Sequence, residues 1–328
     1  MITLFAVFLL TLLVITAFGI VRAQNLFVAV MLAGIFSLQM AAIFFILDAA
    51  DVALTEAAVG AGISTVLFLG ALALTVDEER PRPSARFLPL VVVAITTLAV
   101  IYATFEKPRL GDPNAPVHMH VAPWYLENTP TLIDIPNVVT AVLASFRGYD
   151  TFGEVFVIFT AGIGVMFVLG TPWSRLNADD VPSAETHGLR HHLIPRVVGR
   201  LLVPFIVLFG LYVQFHGEYG PGGGFQAGAL IAAGIILYAL LDGEAAALRA
   251  VPASWLAAMV AIGPLIYGAV GLAGIVLGGR FLDYSVLATD PVAGQHWGIL
   301  LIEAGVGITV TGVMVSVFHA FAARASMR

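Results

Sequence analysis

The sequence predicts an all-α, polytopic integral membrane protein with about nine transmembrane helices and an interfacial segment before the fifth. Three observations carry this. Of 328 residues, 59% are hydrophobic and only 11% charged, against roughly half and a quarter in soluble domains. The mean hydropathy is +0.97. Apolar runs long enough to cross a hydrocarbon core of about 30 Å, which takes ~20 helical residues, recur from Ile2 almost to the C-terminus. Lipid offers the backbone no hydrogen-bond partner and the runs do not alternate as barrel strands do, so each is expected to be a helix.

In chain order the spans are expected at 2–21, 26–47, 52–76, 87–105, 151–170, 198–215, 224–242, 254–278 and 298–321. The first run has neither a basic leader nor a small-residue cleavage site, and another span follows within a few residues, so it reads as a retained helix. Residues 106–150 form a polar insert rich in Pro, His and acids, whose last part, Ile135 to Phe146, is mildly amphipathic and suited to lie at the interface. A charged linker covers 171–197. These breaks divide the chain into 1–105, 106–175 and 176–328: four helices, then one helix with its interfacial segment, then four helices.

The chain has no cysteine, which excludes disulfides, thiolate-held clusters and cysteine nucleophiles; any redox cofactor would belong to a partner. A net charge of −6 argues against nucleic acid as a ligand. If connections alternate sides, eleven of the 15 basic residues fall on one side: Arg22, Arg80, Arg82, Arg86, Arg175, Arg190, Arg196, Arg200, Arg249, Arg324 and Arg328. The positive-inside rule then puts the N-terminus outside and the C-terminus in the cytoplasm.

Three acids fall within spans. Glu56 precedes Gly60, Gly62 and Ser64, with Glu56, Gly60 and Ser64 at a helical repeat of four. Glu154 follows Asp150 at the start of the fifth span, and Glu303 precedes Gly307 and Thr311 in the ninth. A carboxylate at the bilayer centre costs about 2.5–3.5 kcal/mol on insertion scales, so such residues face water, protein or a partner charge. Two readings stand. The acids line a path for a cation or proton, or they are structural acids near one membrane face.

The sixth connection contains His216, Glu218, Pro221, Gly222, Gly223, Gly224 and Phe225. Its glycines lack the Lys-Ser/Thr of a nucleotide loop and suit close helix packing, with His216 and Glu218 at the mouth of a polar path as the alternative. His118 with His120, and His187 with His191 and His192, have no convergent acids at ligand spacing, so no metal site is expected. His319 and Asp242 stand near helix ends, where an interfacial role or proton entry are the two readings.

Three motifs resemble known families. The run from Asp51 through Glu56 to Gly62 resembles the MbhD domain of membrane-bound hydrogenases. Phe146 to Glu154, with Arg147-Gly148-Tyr149-Asp150, resembles the adjoining MbhE motif. Phe215 to Phe225 resembles the MnhB signature of multisubunit Na⁺/H⁺ antiporters of the Mrp or Mnh type. The resemblance implies an accessory membrane subunit of such an antiporter, in the plasma membrane of a prokaryotic cell, partnered by A, C, D, E, F and G type subunits. It would bind no cofactor of its own, with Na⁺ and H⁺ as transported ions, and would not be an enzyme in its own right. The family's essential glutamate falls on Glu154. The alternatives are a membrane-arm component of a membrane-bound hydrogenase or related redox complex, and a non-conducting scaffold.

Overall fold

The computed structural model describes residues 2–79, 87–109, 111–176 and 193–326. Arg80, Arg82, Arg86, Arg190, Arg328 and the histidines at 187, 191 and 192 lie outside the described residues. Among the described residues nine helices are long and apolar enough to span a membrane. They are α1 (Ile2–Arg22), α2 (Leu26–Ile46), α3 (Ala50–Leu72), α4 (Phe87–Thr104), α5 (Gly148–Leu169), α6 (Leu193–His216), α7 (Gly224–Asp242), α8 (Ala253–Val276) and α9 (Pro291–Ser326). The chain is an all-α, polytopic membrane protein.

Most helix ends agree with hydropathy to within a few residues, and the differences have local causes. α9 starts at Pro291 rather than 298 because Asp290 caps it, its carboxylate accepting from the Val292 and Ala293 amides at 3.4 and 3.3 Å, with proline in the first turn, where its missing N–H costs nothing. Its 36 residues make about 54 Å of helix. α3 is continuous, but Glu56–Ile63 winds as a π-helix, with the Glu56 carboxyl still lying over Gly60. Asn25 caps α2 by accepting from the Val28 amide at 3.1 Å.

α9 is the central element. It packs against α8, α7, α5 and α3, and α7 packs in turn against α6 and α3. Ile302, Val306, Val310 and Val315 of α9 are fully buried with Ile236 of α7 and Leu256 of α8. Close approach depends on glycine: a Cβ at Gly263 of α8 would collide with the Thr309 hydroxyl and the Gly305 carbonyl of α9. α4 is the opposite case, with no buried residue at all.

The segment before α5 is also helical, over Val117–Val121, Ala122–Leu132, Val138–Thr140 and Ala141–Phe146. One face of its last part is buried, with Ala141 and Ala144 fully enclosed. Two phenols fix the bend into α5: Tyr267 donates to the Gly148 carbonyl at 2.7 Å and Tyr284 to the Ala144 carbonyl at 3.0 Å. Burial pushes the Tyr284 phenol up from its ordinary pKa, so it remains a neutral donor.

Gly263→Ala is expected to destabilise the detergent-purified protein by about 1–3 kcal/mol through overpacking, read as a lower Tm. Gly268→Ala, whose Cβ would meet only Phe152 at 3.8 Å, is expected to leave the Tm unchanged.

Candidate functional site

The site forms where three separated parts of the chain meet, and it is held by hydrogen bonds between them. Asn137 is the junction. Its side-chain oxygen caps the short helix behind it, accepting from the Val139 and Thr140 amides at 3.0 and 3.4 Å. Its amide nitrogen donates to the Gly217 and Gly220 carbonyls, at 3.1 and 2.9 Å, and to Asp51 Oδ1 at 3.3 Å. Thr140 adds a hydroxyl bond to the Gly217 carbonyl at 2.6 Å, and the Asn137 backbone amide reaches the Glu218 carbonyl at 3.0 Å. Asp51 also accepts from the Gly222 amide at 3.3 Å. Gln226, buried in α7, donates to the Thr55 hydroxyl of α3 at 2.8 Å.

The glycines of 217–224 then bring the loop onto α9. Gly223 has φ +121°, a conformation that excludes most side chains, and a Cβ there would sit 2.9 Å from the Glu303 carboxylate. A Cβ at Gly224 would strike the Glu303 carbonyl and Val306, and one at Gly228 would strike the Gly307 carbonyl. The Gly224 amide, the unsatisfied N–H at the start of α7, donates to Glu303 Oε2. A carboxylate at a helix N-terminus is favoured both by that free donor and by the helix dipole.

A half-open cleft of about 200 Å³ results, lined by Asp51, Glu154 and Glu303 and by polar groups of Thr55, Thr140, Thr151 and Gln226. Three carboxylates converge there, and among the described residues no basic side chain lines the wall. Like charges in a site of low dielectric are relieved by a bound proton or a bound cation. A second cavity of about 220 Å³ abuts the first through Thr140 and Glu303 and is walled by Gln214 and Glu218; Glu218 pairs with His296 at 3.1 Å.

The sequence-predicted residues divide accordingly. Glu154 and Glu303 line the cleft. Glu56 does not; its carboxyl lies over Gly60 with the Ser37 hydroxyl nearby. Asp150 is exposed and paired with Arg147, and His216 stacks on Tyr212 at 4.9 Å, with Gly220 against its Nε2 edge. Gly222, Gly223 and Gly224 make the close approaches, Pro221 and Phe225 flank them, and Gly62 would meet only the Ala57 carbonyl at 3.5 Å. Asp51, Asn137, Thr140 and Gln226 were not foreseen as site residues. Asp51 had a signal, a carboxylate one turn before Glu56; Asn137 reads in sequence only as a helix cap.

Comparison with known proteins gives three family matches in order: MbhD, the D-type subunit of MBH, over residues 11–76; MbhE, the E-type subunit of MBH, over 88–175; and a domain related to the MnhB subunit of Na⁺/H⁺ antiporter over 194–316. α4 thus falls with the MbhE match. An uncharacterized protein of Methanocaldococcus jannaschii is 32% identical over half of this chain and 66% of its own length. A probable K⁺/H⁺ antiporter component of Rhizobium meliloti, of combined A/B type, is 27% identical over 85% of this chain, which spans 30% of that relative. The putative antiporter subunit mnhB2 of Staphylococcus aureus is 33% identical, and 90% of it is covered by 38% of this chain. Among solved structures, the Mrp complex of Dietzia sp. matches 96% of this chain and 34% of its counterpart with a TM-score of 0.73 and 29% identity. The archaeal membrane-bound sulfane sulfur reductase matches 70% of this chain and 96% of its counterpart, with a TM-score of 0.53 and 29% identity.

Asn137→Ala removes the cap and leaves the Gly217 and Gly220 carbonyls without that donor, and is expected to cost about 1–3 kcal/mol. Chemical denaturation should show that loss, whereas Asn128→Ala, a half-buried residue whose side chain donates to the Trp124 carbonyl within its own helix, should fall within about 0.5 kcal/mol of wild type.

Proposed function

Because the chain belongs to the family of MnhB-related Na⁺/H⁺ antiporter subunits, with MbhD- and MbhE-related domains ahead of that part, we propose that it is an accessory component of a multisubunit cation/proton antiporter whose cleft acids form part of the cation and proton path. The observation that carries this is the convergence of Asp51, Glu154 and Glu303, one from each matched segment, on a single polar cleft without a cationic side chain among the described residues. A monovalent cation and a proton compete naturally for such a cluster: either one relieves the repulsion, so loading one releases the other. The lining hydroxyls and the Gln226 amide supply the oxygen ligands that hard cations take. Within this reading Glu154, on the open side of the cleft, exchanges with partner subunits, and Glu303 is the inner acid.

The chain itself binds no cofactor and carries out no redox chemistry in this reading. Its partners are antiporter subunits of the A, C, D, E, F and G types, and its exposed apolar helices face them and lipid. It sits in the plasma membrane of a prokaryotic cell with its N-terminus outside, following the arginine count. Na⁺ is the cation named with the family match, and K⁺ is the one named for the Rhizobium relative. A second reading, the ion-translocating arm of a redox-driven complex, is favoured by the likeness to the sulfane sulfur reductase; there the same acids would move ions on energy supplied by partner subunits.

In vesicles carrying the assembled complex, Glu154→Gln and Glu303→Gln are each expected to lower cation/proton exchange by about 100-fold, the scale on which positioned proton-transfer groups act. Glu56→Gln, whose side chain lies outside the cleft, is expected to have the smaller effect. Full exchange by the Glu154 and Glu303 variants at matched assembly would leave the scaffold role instead.

A further inference from the structure

Glu303 and Gly224 meet at one end of the α7–α9 seam, and a second set of ionisable side chains meets at the other. The two helices run parallel, since Gly224 lies against Glu303 and Gly307 while Gly228 lies against Gly307 and Val310. Asp242, at the far end of α7, and Glu244 just beyond it therefore come level with the last turns of α9. The 19 residues of α7 set these levels about 28 Å apart, close to the ~30 Å of a hydrocarbon core. One seam thus has ionisable groups at both ends.

At the second level His319 is completely buried. Its Nδ1 is 3.3 Å from Glu244 Oε1, and its Nε2, equally buried, has no hydrogen-bond partner among the described residues. Glu244 is 14% exposed, so the pair leads from the surface inward. An imidazole kept only for packing would carry a cost of about 1–3 kcal/mol for the unpaired nitrogen. Between the two levels the seam carries polar contacts: Gly307 lies against the Gly224 carbonyl, and Thr311 bonds across to the Gly228 carbonyl at 3.1 Å.

Among the described residues, the other charged groups at this level are engaged or turned outward. Asp242 is held by Arg200 and Arg196 of α6, Arg175 donates to the Gly170 carbonyl, and Arg249 and Arg324 are exposed. α3 over Ser64–Leu72, α5 around Met166 and α8 from Ala253 bring no titratable side chain to this end. Among the described residues Glu244 is therefore the acid that addresses the ring.

We infer that His319 and Glu244 form a proton-exchange station at the membrane face opposite the cleft, linking bulk water to the α7–α9 seam. Glu244 takes a proton from water and passes it to Nδ1; the resulting imidazolium releases the Nε2 proton to a water on the seam side. No bond other than N–H and O–H changes; the reverse sequence carries a proton back to the bulk, and passage of successive protons in one direction requires the ring to reorient between transfers. Both ring nitrogens are then used, which accounts for an Nε2 held without a protein partner among the described residues. The inference rests on the antiporter reading above and assigns its second terminus.

The test is exchange by the assembled complex in vesicles, with pH varied only on the side that Glu244 faces, for wild type, His319→Gln and Glu244→Gln at matched assembly, with Glu154→Gln in parallel. The expected result is a rate about 100-fold lower in both pair variants and a dependence on that side's pH that is flattened, while dependence on the other side is kept. Native rates and a native pH profile in both variants would overturn the station. If His319→Gln fails to assemble, Glu244→Gln, which keeps the side chain's volume at a partly exposed position, decides alone. Loss of exchange in Glu154→Gln beside native pair variants sinks this inference only; native exchange in Glu154→Gln sinks the cleft reading whatever the pair variants do.

Discussion

Two helices approach most closely where one of them carries no Cβ at the contact, and Gly224 and Gly228 of α7 make such a contact with α9, against the Glu303 and Gly307 carbonyls and the Val306 and Val310 side chains. Everything around the cleft is placed by it. It puts the free amide of Gly224 on the Glu303 carboxylate, so an acid within a membrane span has a fixed donor. It also holds the loop 217–224 against the segment that carries Asn137, whose amide group then reaches both that loop and Asp51. α3 and α5 pack on α9 elsewhere along its length; the glycines bring the loop that bonds Asp51 onto Glu303.

The helical, membrane-spanning character was legible because hydropathy responds to the length of an apolar run, and that length is fixed by the bilayer. Helix ends set by polar groups were less so: the start of α9 at Pro291 depends on an Asp290 cap beyond the apolar run. The π stretch at Glu56–Ile63 has no compositional signature, and Glu56 lies against Gly60, outside the cleft. Of the site, Glu154 and Glu303 were visible as acids in apolar surroundings, and the glycine run as a packing element. Asn137 and Gln226 were not, because an uncharged amide does not by itself mark an ion site and their roles arise from contacts 80 or more residues away in sequence.

The arrangement separates two tasks. Central helices α7, α8 and α9 are closely packed and bury the polar groups, while α1 and α4 present apolar side chains outward over nearly their whole length. A charge inside a membrane is tolerated where protein or water replaces the lost solvation, and the buried seam supplies this at both ends: Gly224 and the Asn137 network near Glu303, the arginines of α6 around Asp242 at the other. The exposed helices suit contact with lipid or with other membrane subunits. This division fits a chain that carries part of a shared path without enclosing a complete one.

The most direct measurement uses the absence of cysteine from the chain. A single Thr55→Cys substitution puts a thiol on the cleft wall beside Gln226, and labelling by a small membrane-impermeant thiol reagent in the assembled complex reports whether that wall is wet and whether a cation occupies it. The account requires labelling that slows as the transported cation is raised, with Ile95→Cys on the apolar surface of α4 unreactive throughout. A thiol at position 55 that stays unlabelled, or labels at a rate indifferent to the cation, would contradict it.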